Sequence, residues 1–335
     1  MDTTFRYIRR SPLSTLEDLK EYHDLFESEV EWLRDFFADK FFKLPKDYKL
    51  NGHPKYLDGH VIGMDAASIA TVWALQLNED VNTVLDMCCA PGMKFMMIHD
   101  TLTTSSHKDF VPRNTVLVGT DVSENRLRVC RNLLTKYGYS NLADEGLYMV
   151  SKQGDDKTLF SQYIRASLPK KKRARLAKKQ RVLESVPIFP NTFDRVLVDA
   201  ECTHDGSERH EAKHEGFWTN HATDKNRVYY DTEEKILKLV DNQKNLIKKG
   251  FDLLRPGGLM VYSTCSLQSR QNEEVVEYLL SVCDGEAELA PLPFRLVGED
   301  GLVPAKRVFG QCCLFDPASS GTSGQFIACI RKKSS

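Results

Sequence analysis

The chain predicts a doubly wound α/β domain built on a mostly parallel sheet. Apolar, β-branched runs recur at residues 81–86, 116–121, 147–150, 193–200 and 259–264. Segments of helical period or turn residues separate them, and that alternation marks this fold class. Asp86, Asp121, Asp199, Cys202 and Cys265 all stand at or just past the carboxyl ends of these runs. Open α/β sheets bind their ligands at that edge.

The elements follow in order. Ser14-Thr-Leu-Glu17 has capping-box spacing, and Leu16, Leu19, Phe26, Val30, Leu33 and Phe37 continue at helical intervals, which predicts an amphipathic N-terminal helix. Residues 43–63, rich in Lys, Pro, Gly, Asn and His, read as a connection, dividing a helical extension (1–50) from the main domain (51–335). A helix over 66–77 leads into the first strand. A longer helix over 232–254 ends at Arg255-Pro-Gly-Gly258, a breaker followed by two residues that permit positive φ. After the strand at 259–264, residues 272–280 are helical and 285–304 loop-like. Residues 312–315 and 326–330 suit an antiparallel hairpin.

The 335 residues, 41% of them hydrophobic, can bury a substantial core. No apolar run has the length of a membrane span or a secretory signal core, so a soluble protein is expected. Arg6, Arg9 and Arg10 read as part of an ordinary ragged terminus rather than a targeting peptide. Nine cysteines without CxxC pairs favour a reducing intracellular setting. Cys130, Cys283 and Cys329 read as packed small hydrophobes.

The net charge is −1, yet Pro169-Lys-Lys-Lys-Arg-Ala-Arg-Leu-Ala-Lys-Lys-Gln-Arg181 carries eight basic residues and no acid. A polyanion would therefore be met by local patches rather than by the overall field. The block is read as an insertion at about 165–190: a solvated loop, a phosphate-contacting arm or a nuclear address.

Asp86-Met-Cys-Cys-Ala-Pro-Gly-Met-Lys94 follows the first strand as a tight turn before a helix N-terminus. It lacks the glycines of a dinucleotide site. Asp121 ends the second strand, where a carboxylate can accept from a ribose diol, and Gly154-Asp155 follows the third, where a carboxylate can accept from an adenine amino group. A ligand with a carboxylate, a ribose and an adenine but no phosphate is S-adenosylmethionine.

Three motifs carry a resemblance: Cys88-Cys-Ala-Pro-Gly-Met-Lys94, Asp199-Ala-Glu-Cys202 and Tyr262-Ser-Thr-Cys-Ser-Leu267. In this order, with Met64-Asp-Ala-Ala-Ser68, Leu254-Arg-Pro-Gly-Gly258 and Gln271-Asn-Glu-Glu274, they resemble the Sun/RsmB family of RNA cytosine-5 methyltransferases. Cys202-Thr-His-Asp-Gly206 resembles its short members, which lack an added RNA-binding domain. The resemblance implies a Rossmann-like class I methyltransferase fold, a mostly parallel seven-stranded sheet with a C-terminal antiparallel hairpin. It implies S-adenosylmethionine as cofactor and an unstacked cytosine of tRNA or rRNA as substrate.

C5 of cytosine is a poor nucleophile, so a thiolate adds to C6 and leaves an enamine-like C5 that can attack a methylsulfonium. The resemblance assigns Cys265 as nucleophile, Cys202 as the thiol assisting release, Asp199 to the cytosine edge, and Lys94 to the base or Asp199. Cofactor contacts fall to Cys88, Cys89, Ala90, Pro91, Gly92, Met93, Lys94, Asp121, Arg126, Asp155 and Asp199. A lowered nucleophile pKa is expected from Lys94 and a helix N-terminus.

Two positions depart from the family pattern. Met93 replaces a glycine, and Glu201 replaces the proline before Cys202, where a carboxylate is expected to raise the neighbouring thiol pKa. They motivate the alternative of a non-catalytic RNA-binding or ribosome-assembly factor. Cys202 and His204 are too close for the usual zinc spacing, so no metal is expected; His204, His210, His214 and His221 are read as facing solvent or phosphates. Substrate choice is expected to use the N-terminal helix, the basic insertion or a protein partner. The basic block leans nuclear, the short-member resemblance mitochondrial.

Overall fold

The computed structural model describes residues 5–11, 13–14, 28–33, 36, 41–45, 48–103, 115–139, 147–151, 190–207 and 232–334. Asp155, the basic insertion, His210, His214 and His221 lie outside them. Among the described residues no helix is long and apolar enough to cross a membrane.

The N-terminal part contains β1 (Arg6–Arg10), β2 (Ser28–Glu29), β3 (Phe41–Leu44), a short helix α1 (Pro54–Leu57), β4 (Val61–Gly63) and α2 (Ala66–Trp73). The strands form an antiparallel sheet in the order β2-β3-β1-β4. Three described segments of the extension expected as helical over 1–50 are strands, and β1 pairs with β4 across the expected boundary. The physical reason is two-sided burial. Tyr7 joins the main core while Ile8 packs with Leu44, Leu50 and Val61, a period of two that suits a strand. Most of the predicted N-terminal helix lies outside the described residues.

Nor are residues 6–10 a ragged end. Arg9 is buried and forms an ion pair with Asp100, whose Oδ2 also accepts from the Tyr139 hydroxyl at 2.6 Å. Burial alone would raise the Asp100 carboxyl, but Arg9 with hydrogen bonds from His99 and Tyr139 together holds it below its ordinary value.

The main domain runs β5 (Thr83–Asp86), α3 (Met93–Thr103), β6 (Val116–Asp121), α4 (Glu124–Lys136), β7 (Leu147–Ser151), β8 (Phe193–Asp199), α5 (Glu233–Leu253), β9 (Leu254–Thr264), α6 (Glu273–Val282), β10 (Ala287–Leu289), β11 (Lys306–Arg307), β12 (Cys313–Phe315), α7 (Pro317–Ser320) and β13 (Gln325–Lys332). Its sheet has the order β11-β12-β13-β9-β8-β5-β6-β7, with β10 paired to β13. Strands β7, β6, β5, β8 and β9 are parallel, and β13 and β12 form the antiparallel hairpin. These seven are the expected sheet; β10 and β11 are short edge additions.

Alternation along β8 and β9 divides the core. Leu197, Leu259 and Val261 belong to one apolar cluster, and Val196, Val198, Met260 and Tyr262 to another. Helix α5 starts at Thr232, whose hydroxyl accepts from the Lys235 amide, with Glu233 and Glu234 in the first turn. It ends at Leu253, directly before the Arg-Pro-Gly-Gly segment expected as its stop, in which Gly257 takes φ +77°. Leu254 is already extended, and Arg255, Pro256, Gly257 and Gly258 belong to β9, beside an irregularity between Phe193 and Arg195. Arg255 there pairs with Asp194 at 2.5 Å.

Replacing Arg9 with alanine leaves the Asp100 carboxylate buried without its cation. The variant is expected to lose about 3–5 kcal/mol of stability, read as a lower urea midpoint at neutral pH; an unchanged midpoint would show that the pair is dispensable.

Candidate functional site

The site forms where β5, β8 and β9 end side by side. Asp199 lies opposite Ser263 in the parallel register, and the Ala200 amide extends the ladder to the Ser263 carbonyl at 2.9 Å. Both chains then turn over the sheet edge, and the Sγ atoms of Cys202 and Cys265 come to 3.2 Å. Both cysteines are free thiols; Cys202 is fully buried and Cys265 partly exposed.

A polar lattice fixes these turns. Gln271, fully buried, accepts from the Thr203 amide at 3.1 Å and donates to the Thr203 hydroxyl at 2.9 Å. Buried Asn272 accepts from the Thr264 hydroxyl at 2.6 Å and donates to the Ser266 carbonyl at 2.9 Å. The Gly206 amide donates to the Cys265 carbonyl at 3.1 Å, and Gly324 donates to the Gly206 carbonyl at 2.6 Å. A Cβ at Gly206 would stand 2.6 Å from the Cys265 carbonyl oxygen, so the approach requires glycine.

Next to the thiols, Lys94 in the first turn of α3 donates to Asp199 Oδ2 at 2.8 Å, and Ser263 donates to Asp199 Oδ1 at 2.7 Å. Burial opposes the Lys94 charge, but Asp199 more than compensates and its pKa is raised.

His204 is the residue that sequence reasoning misassigned. It is only partly exposed, and its Nδ1 lies 3.0 Å from Cys265 Sγ and 3.7 Å from Cys202 Sγ. The signal was the φ of +60° its position requires, which sequence does not display. These three donor atoms lie within 4.8 Å of one another, at separations of direct hydrogen bonding. Burial opposes ionisation of Cys202, yet hydrogen bonds from Cys265 and His204 bring its thiol down to about 6, while the bond to Cys202 and burial push Cys265 up. The pair titrates as a unit with one favourable first ionisation. Two expectations are thereby corrected. Glu201 is exposed and is not among the main influences on Cys202, and the lowered value falls on Cys202 rather than on Cys265.

The loop after β5 supplies the other half. Asp86 is buried, neither of its oxygens has a partner in hydrogen-bonding geometry, and burial followed by repulsion from Asp199 pushes it up to about 8. Burial likewise raises Cys88. Asp121 accepts from the Ser123 amide at 2.9 Å through Oδ1, and its buried Oδ2 lacks a hydrogen-bond partner. Arg126 stands 3.5 Å from that oxygen and donates to the Ala90 carbonyl at 2.8 Å. Pro91 and Gly92 make the turn; Gly92 has φ +110°, and a Cβ there would meet Cys130 Sγ at 2.5 Å. Cys89 and Met93 pack against the apolar core, which leaves the cleft to the loop's backbone. Orphaned carboxylate oxygens at the ends of adjacent strands fit a polar ligand such as S-adenosylmethionine.

Comparison with known proteins points to a family. Residues 170–331 match the family described as 16S rRNA methyltransferase RsmB/F. Across those residues the chain is similar to the RsmB/F methyltransferase family. It is 25% identical over 330 residues to the tRNA (cytosine(49)-C(5))-methyltransferase of Pyrococcus abyssi (strain GE5 / Orsay), covering 96% of this chain and 86% of that one. It is 25% identical over 294 residues to the ribosomal RNA small subunit methyltransferase F of Aliivibrio fischeri (strain MJ11), covering 86% of this chain and 48% of the relative. The chain thus spans about half the length of several RsmF-type relatives. The crystal structure of a methyltransferase homolog protein from Pyrococcus horikoshii superposes with a TM-score of 0.60 at 25% identity, over 98% of this chain and 87% of that one. A methyltransferase fold is therefore the frame in which the paired thiols stand.

Because Asp86 binds a proton more tightly folded than unfolded, its contribution to stability falls as pH rises from about 4 to about 8. Asp86→Asn is expected to flatten that slope, the wild-type disadvantage growing by at most about 1.4 kcal/mol per pH unit. Urea denaturation of both proteins at pH 5 and pH 8, without ligand, measures it.

Proposed function

We propose that this chain transfers a methyl group from S-adenosylmethionine to C5 of a cytosine in tRNA or rRNA through a covalent cysteine–C6 adduct. The observation that carries the reading is the 3.2 Å approach of the Cys202 and Cys265 sulfurs beside the Lys94–Asp199 pair. Relatives named for tRNA and for rRNA methylation both support RNA as the substrate class. Bound S-adenosylmethionine would supply an electrophilic methyl carbon on a sulfonium.

The chain's own residues would do the rest. Asp121 would accept from ribose hydroxyls, and the backbone of 88–92 would border the ligand. Partly exposed Cys265 would reach C6 of an unstacked base, as the fully buried Cys202 cannot. Asp199, oriented by Lys94 and Ser263, would accept from the cytosine edge. Once C5 carries the methyl group its proton must leave, and the C6–S bond then breaks with its electron pair returning to Cys265. Cys202, in hydrogen-bond contact with that sulfur, is the group that assists release.

Cys265→Ala is expected to abolish transfer of labelled methyl from S-adenosylmethionine to RNA, a loss of at least about 10³-fold. Cys202→Ala is expected to retain adduct formation and accumulate an RNA–protein complex that survives denaturing electrophoresis. Full transfer by Cys265→Ala would sink the covalent route, and no transfer by the wild type to any cellular RNA would favour a non-catalytic RNA-binding role.

A further inference from the structure

We propose that His204 is a catalytic residue of this site, the proton acceptor for the thiol pair. The inference deepens the methyltransferase reading and rests on it for the identity of the reaction. Its first observation is conformational. His204 has φ +60°, a left-handed conformation that is strained for a non-glycine residue. Such an outlier persists only where its surroundings fix it. Here Thr203 is held by Gln271, and Asp205 accepts from Thr203 and from the Leu267 amide at 3.1 Å. Two anchored neighbours thus hold a histidine in a conformation that glycine would adopt without strain.

The second observation is where the imidazole goes. Its Nδ1 is within hydrogen-bond reach of both sulfurs, at 3.0 Å from Cys265 and 3.7 Å from Cys202. Lys94 is committed to Asp199 at 2.8 Å and, as a cation, has no lone pair to receive a thiol proton. A neutral imidazole has one. The charged groups acting on this cluster are Asp199 and Glu201, which favour protonated His204, and Lys94, which favours a thiolate at Cys265.

The transfer balances within the cluster. The S–H bond of Cys265 breaks and an N–H bond forms at His204 Nδ1, leaving a thiolate beside an imidazolium. The thiolate's electron pair forms the bond to C6. When that bond breaks, the pair returns to sulfur and takes the proton back from Nδ1. The C5 proton leaves to water, so methyl-for-proton exchange at C5 is the net change in the base.

The test uses the full chain with His204→Gly, which relieves the backbone, and His204→Asn, which tolerates the same φ and does not titrate. Thiolate absorbance near 240 nm is followed against pH without RNA, with Cys202→Ser and Cys265→Ser assigning the signal. In both His204 variants the first ionisation should move up by at least about one pH unit. Methyl transfer near pH 7 should fall by about 10²-fold or more and recover towards the wild-type rate near pH 9. Superimposable thiol titrations in wild type and both variants would overturn the assignment, as would transfer at neutral pH undiminished in them. A shifted titration in a wild-type protein that methylates no RNA would leave His204 as proton acceptor and remove the methyltransferase reading instead.

Discussion

The parallel pairing of β8 with β9 is the constraint on which this site depends. Opposing Asp199 to Ser263 makes the two strands end level, and one further ladder bond, from the Ala200 amide to the Ser263 carbonyl, carries the alignment past the sheet edge. A slip of one residue would exchange the faces of the strand, burying Asp199 and Ser263 among the apolar residues of the other layer. The apolar alternation of both strands resists that slip, because Leu197 and Val261 serve one core while Val198 and Tyr262 serve the other. Core packing thus sets the thiol separation, and catalytic geometry is inherited from hydrophobic register.

Beyond the sheet edge the backbone has no ladder, and side chains take over. Gln271 and Asn272 stand at the start of α6, fully or almost fully buried, and satisfy groups on the turns after both strands. The Tyr262 hydroxyl donates to the Gln271 carbonyl at 2.6 Å, tying this brace back to β9. Buried polar networks of this kind are costly when half satisfied and rigid when complete. Gly206 and Gly324 add the closest approach, and Ser323 donates to Asp65 Oδ2 at 3.1 Å. Asp65 also caps α2, so the N-terminal part is coupled to the cysteine turn through a short run of hydrogen bonds.

The sequence was most legible where physics is local or periodic. Strands β5, β6, β8 and β9 announce themselves as β-branched runs, and Thr232 with its following glutamates marks the start of α5. The N-terminal sheet was illegible because its strands have two to five residues and Arg6–Arg10 is mostly charged; only pairing with residues 32 to 55 positions away, as Arg9 with Phe41 and Ile8 with Gly63, makes it a strand. Arg255-Pro-Gly-Gly258 marked the end of α5 but not the strand to which the segment itself belongs. A breaker signals interruption, and here it interrupts the start of a strand at a ladder irregularity. Cys202, Cys265, Asp199 and Lys94 were legible as strand-end and helix-start residues that topology had to bring together. His204 was not, since its partner Cys265 lies 61 positions away and its backbone conformation is invisible in a list of residues.

Electrostatics explains why these parts occupy one cleft. Asp86, Asp121 and Asp199 end neighbouring strands, and Asp86 responds to the crowding by holding its proton at neutral pH. Lys94 reduces the repulsion at Asp199, yet an acidic edge would still oppose a thiolate: Asp199 raises the pKa of Cys265. A thiol in such surroundings needs a local base and a counter-charge if it is to act as a nucleophile near neutral pH. His204 meets both requirements from the thiol side of the cleft, while the carboxylates stay on the other side, complementary to a cationic ligand. The separation of a proton-accepting thiol cluster from an acidic binding edge, with Lys94–Asp199 between them, is what lets one strand terminus serve two opposed electrostatic tasks.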